Sequence, residues 1–190
     1  GTEAIRTSLI AGAIGLALVM IFMIVVYALP GVVAALSLLI YTALELVMLN
    51  AFDLTLTLPG IAGIVLSIGM AVDANVIIYA RIREEIAAGK SVRNAIKTGF
   101  QKALSAILDG NITTLIAAAV LGLLGSGSVK GFAMTLALGI VLSMFTALVI
   151  SRLIVNALYS VGLQSEKLYG RAKTRKTIDF VGKRKIFFII

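Results

Sequence analysis

The stretch Leu58–Glu85, LPGIAGIVLSIGMAVDANVIIYARIREE, decides how the rest of the chain is read. From Leu58 to Ala80 it is apolar enough to cross a bilayer, for which about 20 residues suffice, yet it carries Asp73 and Asn75 well inside. It closes on a burst of charge at Arg81, Arg83, Glu84 and Glu85. An ionised carboxylate near the middle of a bilayer costs about 2.5–3.5 kcal/mol on insertion scales. A sequence that keeps one there generally uses it. Asp73 is therefore the first candidate for a functional group, and ion or proton movement the first candidate for its work.

Working outward, the whole chain has the same character. Of its 190 residues 60% are hydrophobic, against about 45–50% in a soluble domain, and its mean hydropathy is +1.08. The spacing of apolar runs predicts an all-α membrane protein with five spans, at about 8–27, 31–49, 58–80, 103–124 and 132–151. Pro30-Gly31 breaks the chain between the first two. The net charge of +8 would point to nucleic acid in a soluble protein, but here the cations sit between apolar runs, as membrane topology requires. The loop Arg81–Lys102 holds six (Arg81, Arg83, Lys90, Arg93, Lys97, Lys102) and the tail Glu166–Lys185 holds eight. The loop Asn50–Thr57 holds none, and Gly125–Gly131 only Lys130. The positive-inside rule then puts the 81–102 loop and the tail in the cytoplasm and the N-terminus outside.

With no Cys and no His, thiolate metal sites, cysteine nucleophiles and the usual general base are excluded, and no cofactor or enzyme activity is expected. Gly89-Lys90-Ser91 resembles the end of a phosphate loop, but the glycine five residues before the lysine is missing, since Glu85 stands there. The chain starts at Gly1 and ends at Ile190 inside a new apolar run, so a piece of a longer protein is expected. The first run lacks a basic start, so no signal peptide is expected.

Within the basic loop, Val92, Ala95, Ile96, Gly99, Phe100 and Ala103 recur at helical spacing opposite Arg93, Asn94, Lys97 and Thr98, with Ser91 placed to cap. This predicts a short amphipathic helix on the inner membrane surface. At about 1.5 Å per residue, Asp73 falls roughly 5 Å to the cytoplasmic side of the bilayer centre. Asp109, in the fourth span, falls at a similar depth. Asp73-Ala74-Asn75 and Asp109-Gly110-Asn111 share a spacing, and Thr113 and Thr114 add hydroxyls just deeper. Two antiparallel helices would thus bring two carboxylates and two amides to one level. For Asn75, Asn111, Thr113 and Thr114, helix-to-helix hydrogen bonding and a direct role both stay open. The small residues Gly60, Gly63, Ser67, Ala71 and Ala74 form a stripe for close helix contact, expected to hold both Asp73 and Asn75 in protein. Glu45, in the second span, is either a further relay point or a group reaching the outer interface.

Leu56–Glu85, Ile107–Ile140 (ILDGNITTLIAAAVLGLLGSGSVKGFAMTLALGI) and SMFTALVISR (Ser143–Arg152) resemble the SecD half of the SecD/SecF protein-export membrane protein family, most specifically at GMAVDANV and DGN-x-TT. IDFVGKRKIFFII (Ile178–Ile190) resembles the start of a SecF half. The resemblance implies a resistance–nodulation–division architecture, a bacterial or archaeal cytoplasmic membrane location, and a fused chain. In it, 1–163 are spans two to six of a six-helix half, 164–185 a basic cytoplasmic linker and 186–190 the start of the next span. It implies a proton-motive-force-driven accessory subunit that assists late export of preproteins. Its partners would be the SecF half, the SecYEG translocon, the secreted preprotein, the lipid bilayer and protons, with no nucleic acid. Asp73 corresponds to the family's relay acid, and Asp109 and Asn111 match the second motif, with Gly110 where alanine is usual. A small-molecule or lipid exporter of the same superfamily, or a non-transporting scaffold, are the competing functions. Adjacent acids, common in the exporters, are absent here: the chain has Asp73-Ala74-Asn75.

Overall fold

The computed structural model describes residues 2–54 and 57–169, and every described regular element is helical. The expected linker beyond Tyr169 and the start of a further span at 186–190 lie outside the described residues. Five helices are long and apolar enough to cross a membrane. They are α1 (Thr2–Tyr27), α2 (Leu29–Ala51), α3 (Leu58–Ala87), α4 (Val92–Leu124) and a fifth made of α5 (Ser128–Phe145), a π turn (Thr146–Ile150) and α6 (Ser151–Ser160). The chain is a multi-pass membrane protein.

α1 is apolar on every side and turns Ile14, Leu18, Ile21, Phe22 and Val25 outward, with Met23 buried. A helix hydrophobic all round belongs in lipid or in the centre of a large core, and this one stands at the edge of the bundle. Ala28 turns the chain at φ 53°, and Pro30 enters the first turn of α2, where its missing N–H removes no helix bond. α3 and α5 pack along the small stripe. A Cβ on Gly63 would collide with Thr135 Oγ1, and one on Gly139 with Ser67. Thr135 Oγ1 lies within hydrogen-bond distance of two carbonyls, Phe132 O at 2.9 Å on its own helix and Gly60 O at 3.1 Å across the interface. Glycine here is what lets the two backbones approach.

The amphipathic stretch is not a separate surface helix. It is the first third of α4, and its apolar face packs on protein: Val92, Ala95, Ile96 and Phe100 share a buried cluster with Ile78, Ile82 and Ile86 of α3. The charged surroundings had suggested a lipid surface, but the nearest apolar partner is the end of α3 itself. α3 and α4 have 30 and 33 residues, about 45 and 50 Å at 1.5 Å per residue, against a hydrocarbon core of about 30 Å. Both therefore run on past the expected spans as a helical hairpin. Its turn satisfies the last carbonyls of α3 in a Schellman arrangement: Gly89, at φ 87°, donates to Ile86 O and Lys90 to Glu85 O. Glu85 then takes Lys102 at 2.5 Å and Lys90 at 2.6 Å. These ammonium groups hold its carboxyl below the usual carboxylate range. Ser91 stands at the N-cap position but its side chain makes no capping bond.

Residues expected to open a linker fold back instead. Leu29 N donates to Leu168 O at 3.2 Å, and Tyr169 is buried in the cluster beside the α3–α4 hairpin.

Candidate functional site

Asn75 and Asp73, two residues apart on α3, meet opposite fates. Asn75 is 2% exposed. Its Nδ2 donates to Ala71 O at 3.1 Å, and its Oδ1 accepts from Ser151 Oγ at 2.6 Å. Ser151 Oγ is in turn 2.8 Å from Ser37 Oγ. Three helices are thus tied by one polar knot, and the π turn directly precedes Ser151. Such turns recur at functional sites. Eight residues along both α2 and α3 lies a second knot. Tyr41 Oη donates to Ser67 Oγ at 2.7 Å, and Ser67 Oγ lies 2.9 Å from Glu45 Oε1. Glu45 is fully buried, and its Oε2 has no hydrogen-bond partner among the described residues. It therefore does not reach the outer interface. The row Ser37, Tyr41, Glu45, spaced by four, carries the signal: all three lie on one face of α2.

Asp73 lies on the other side of the stripe and is exposed, contrary to the expectation that close packing would enclose it. The small stripe does make a tight contact, with α5, but Asp73 points away from α5 toward α4. It lines a groove of about 170 Å³ between α3 and α4, with Met70, Ala74, Ile77, Gly110 and Asn111 among its neighbours. Asn111 is buried: its Nδ2 donates to Ile107 O at 2.8 Å, while its Oδ1 has no partner among the described residues. The groove is thus lined by an exposed carboxyl and by the residue whose amide oxygen is buried without a partner.

Asp109 lies inside α4, as its expected depth requires, but on the exposed side and not among the groove's lining residues. The groove that holds Asp73 is therefore lined by only one of the two carboxylates. Thr113 and Thr114 bond back to their own helix, to Asp109 O at 2.7 Å and Gly110 O at 3.0 Å, and link nothing across helices. Gly60, Gly63 and Ser67 are buried, as expected of packing residues. The exposed face of α4 thus presents Ser105, Asp109 and Thr113 beside Ile112 and Ile116. A carboxylate on a lipid-facing surface is strongly disfavoured.

Comparison with known proteins follows the same lines. Residues 1–161 match the family described as protein export membrane protein SecD/SecF, C-terminal. The chain is 58% identical over 152 residues to the protein translocase subunit SecD of Synechocystis sp., covering 80% of this chain and 32% of that protein. It is 56% identical over 158 residues to the SecD of Acidaminococcus fermentans, covering 83% and 38%. The crystal structure of SecDF from Thermus thermophilus, a translocon-associated membrane protein, superposes with a TM-score of 0.87 at 39% identity, over 98% of this chain and 26% of that one. The chain therefore spans about a third of the length of the SecD relatives it matches. With nearly all its described residues inside the match, and the five-helix bundle and its superposition in agreement, this chain belongs to the SecD/SecF protein-export membrane protein family.

Proposed function

We propose that this bundle is the SecD-type half of a proton-driven accessory subunit that assists late export of preproteins through the SecYEG translocon, and that it is not an enzyme. The observation that carries the reading is the exposed Asp73 carboxyl at mid-span, in a groove between α3 and α4 that Gly110 and Asn111 also line. A carboxyl that changes protonation needs an oxygen that a proton can reach, and Asp73 is exposed on the groove. Asp109 is the second relay acid in this reading, and Asn75, Asn111, Thr113 and Thr114 support it.

The open α3–α4 face is where a SecF-type half sits. There it would shield Asp73, Asp109 and Thr113 from lipid and supply the cation that these spans lack: no Lys or Arg falls within 58–80 or 103–124. The relatives named SecD and the translocon-associated SecDF support the assignment. The hairpin, the Ala28 turn and residues 161–169 gather at one end of the bundle. The charge balance assigns that end to the cytoplasm and the N-terminus to the outside of the cytoplasmic membrane.

The test uses the full-length protein with the translocon in energised inverted vesicles. Late-stage translocation with and without a proton gradient is compared for wild type, Asp73→Asn and Asp109→Asn. Asp73→Asn is expected to insert normally and to lose the gradient-dependent part of the rate. Wild-type translocation by that variant would leave the bundle as a scaffold.

A further inference from the structure

We propose that the cleft between the start of α4 and α6 is a seat for the headgroup of an anionic phospholipid of the cytoplasmic leaflet. The leaflet assignment rests on the orientation proposed above. The cleft, of about 370 Å³, is lined by Arg93, Asn94, Ile96 and Lys97 of α4 and by Arg152 and Asn156 of α6. No carboxylate lines it. Among the described residues the ion pairs use Arg81, Lys90 and Lys102, and leave Arg93, Lys97 and Arg152 without an acidic partner. Three like charges around one cavity repel each other unless an anion joins them. Arg152 is held in place from below, its guanidinium 6.0 Å from the centre of the Phe100 ring. Two guanidinium forks and an ammonium supply donors in the geometry a phosphodiester takes. The Asn94 and Asn156 amides add neutral donors and acceptors suited to hydroxyls of a glycerol headgroup.

The surroundings favour a lipid over a free anion or an acidic peptide. On α4 the row Arg93, Lys97, Gln101, Leu104 passes from charged to apolar. On the fifth helix, running the other way, Asn156 and Arg152 of α6 and Val149 of the π turn do the same in the same direction. Leu104 and Val149 are exposed. The cleft therefore opens at its deep end onto a lipid-facing strip, where acyl chains would lie. Its deep end is at the level of the headgroup layer: Phe100 and Arg152 sit within a turn of the ends of the spans at 103 and 151, while Arg93, about 15 Å beyond Ala103 at 1.5 Å per residue, marks its aqueous end. Basic pockets between transmembrane helices at this side of a membrane are suited to anionic headgroups.

The experiment places the full-length protein in phosphatidylcholine nanodiscs doped with phosphatidylglycerol and reads retained lipids by native mass spectrometry. Wild type is expected to retain phosphatidylglycerol above its share of the bilayer. Each of Arg93→Gln, Lys97→Gln and Arg152→Gln is expected to lower that preference about fivefold, and Lys130→Gln at the opposite end to leave it unchanged. Should Arg152→Gln, which loses its contact with Phe100, melt early, Arg93→Gln, at an exposed side chain, carries the same sign. An unchanged preference in folded variants overturns the proposal. So does displacement of the lipid by inorganic phosphate alone, or capture of an acidic polypeptide, in place of lipid, by a photo-crosslinker at position 156 in native membranes. Orientation is read separately. Labelling of Lys97→Cys by an impermeant maleimide from outside would overturn the leaflet assignment, while nanodisc retention, which has no sidedness, would still report on the lipid site. Neither readout depends on translocation.

Discussion

α3 has two faces, and they are built on different rules. Toward α2 and α5 it is sealed: glycines admit the neighbouring backbone, and every stripe residue from Gly60 to Ala74 is buried. Asn75 and Ser67 on this side are consumed by hydrogen bonds to Ser151 and Tyr41. Toward α4 it is open: Asp73 faces a groove, Gly110 has nothing within 4 Å of where a Cβ would stand, and Asn111 Oδ1 is unpartnered. On the sealed face the polar side chains of α3 are held in hydrogen bonds, and Glu45 Oε2 of α2 is the atom left without a partner beside them. On the open face Asp73 is exposed and makes no side-chain hydrogen bond among the described residues.

The sharpest way to break this contrast is to add volume on each side. Gly63→Val forces Thr135 away from Gly60 O. Overpacking costs about 1–3 kcal/mol, and the lost hydrogen bond about 1 kcal/mol more. Little folded protein should survive extraction into detergent. On the open face Gly110→Ala meets no neighbour and should stabilise α4 by about 0.5–1 kcal/mol through helix propensity. Thermal unfolding in micelles reads both. A destabilising Gly110→Ala would mean that the groove is tighter than its geometry.

Polarity separates the faces next. Asn75→Leu takes the Oδ1 acceptor from Ser151 in the bundle interior and leaves that hydroxyl only Ser37, and a buried hydrogen bond left unmade costs about 1–3 kcal/mol. Asp73→Asn strands nothing, since the carboxyl is exposed. Its midpoint in denaturant titrations should match wild type even as gradient-driven translocation is lost. Equal losses of stability in the two variants would erase the distinction drawn here.

The spans and the packing stripe were legible because burial in lipid leaves a strong, periodic signal: the stripe at Gly60, Gly63 and Ser67 names its own contact face. That Asp73 and Asp109 fall inside helices rather than at their ends was legible from the lengths of the apolar runs. Which helix would meet the stripe was not. The answer, α5, depends on a pairing of distant segments that periodicity does not encode, and it decides that Asp73 looks outward. For Glu45 the two readings could not be separated for a related reason, and burial removes only the outer interface. Taken singly, an acid in a span fits either. Taken with Ser37 and Tyr41 at four-residue spacing, it marks a polar row facing the interior. The amphipathic start of α4 carried the right face and the wrong partner, since a helix face is equally apolar to lipid and to Ile82.

The smallest effect lies where the two helices leave the membrane, and it tests whether their open face is tethered at that end. Glu85, beyond the expected span, bridges Lys102 and Lys90 across the hairpin. Those two ammonium groups lower its folded pKa below the ordinary value of about 4.3. The sign follows from linkage. A carboxyl with a depressed folded pKa lends its full stabilisation above the unfolded value and loses it as the pH falls through the folded one. Amide protons of the Gly89 turn and the first turns of α4 should therefore exchange faster below about pH 4 than the exchange chemistry alone dictates. Glu85→Gln should show the faster exchange at neutral pH and little further change on acidification. Local exchange is the right readout, because ion pairs reaching into water contribute little to global stability. If acidification leaves the wild-type turn protected, the hairpin is held by the Ile82–Ile96–Phe100 cluster alone, and the α3–α4 groove is closed at this end by apolar packing rather than by charge.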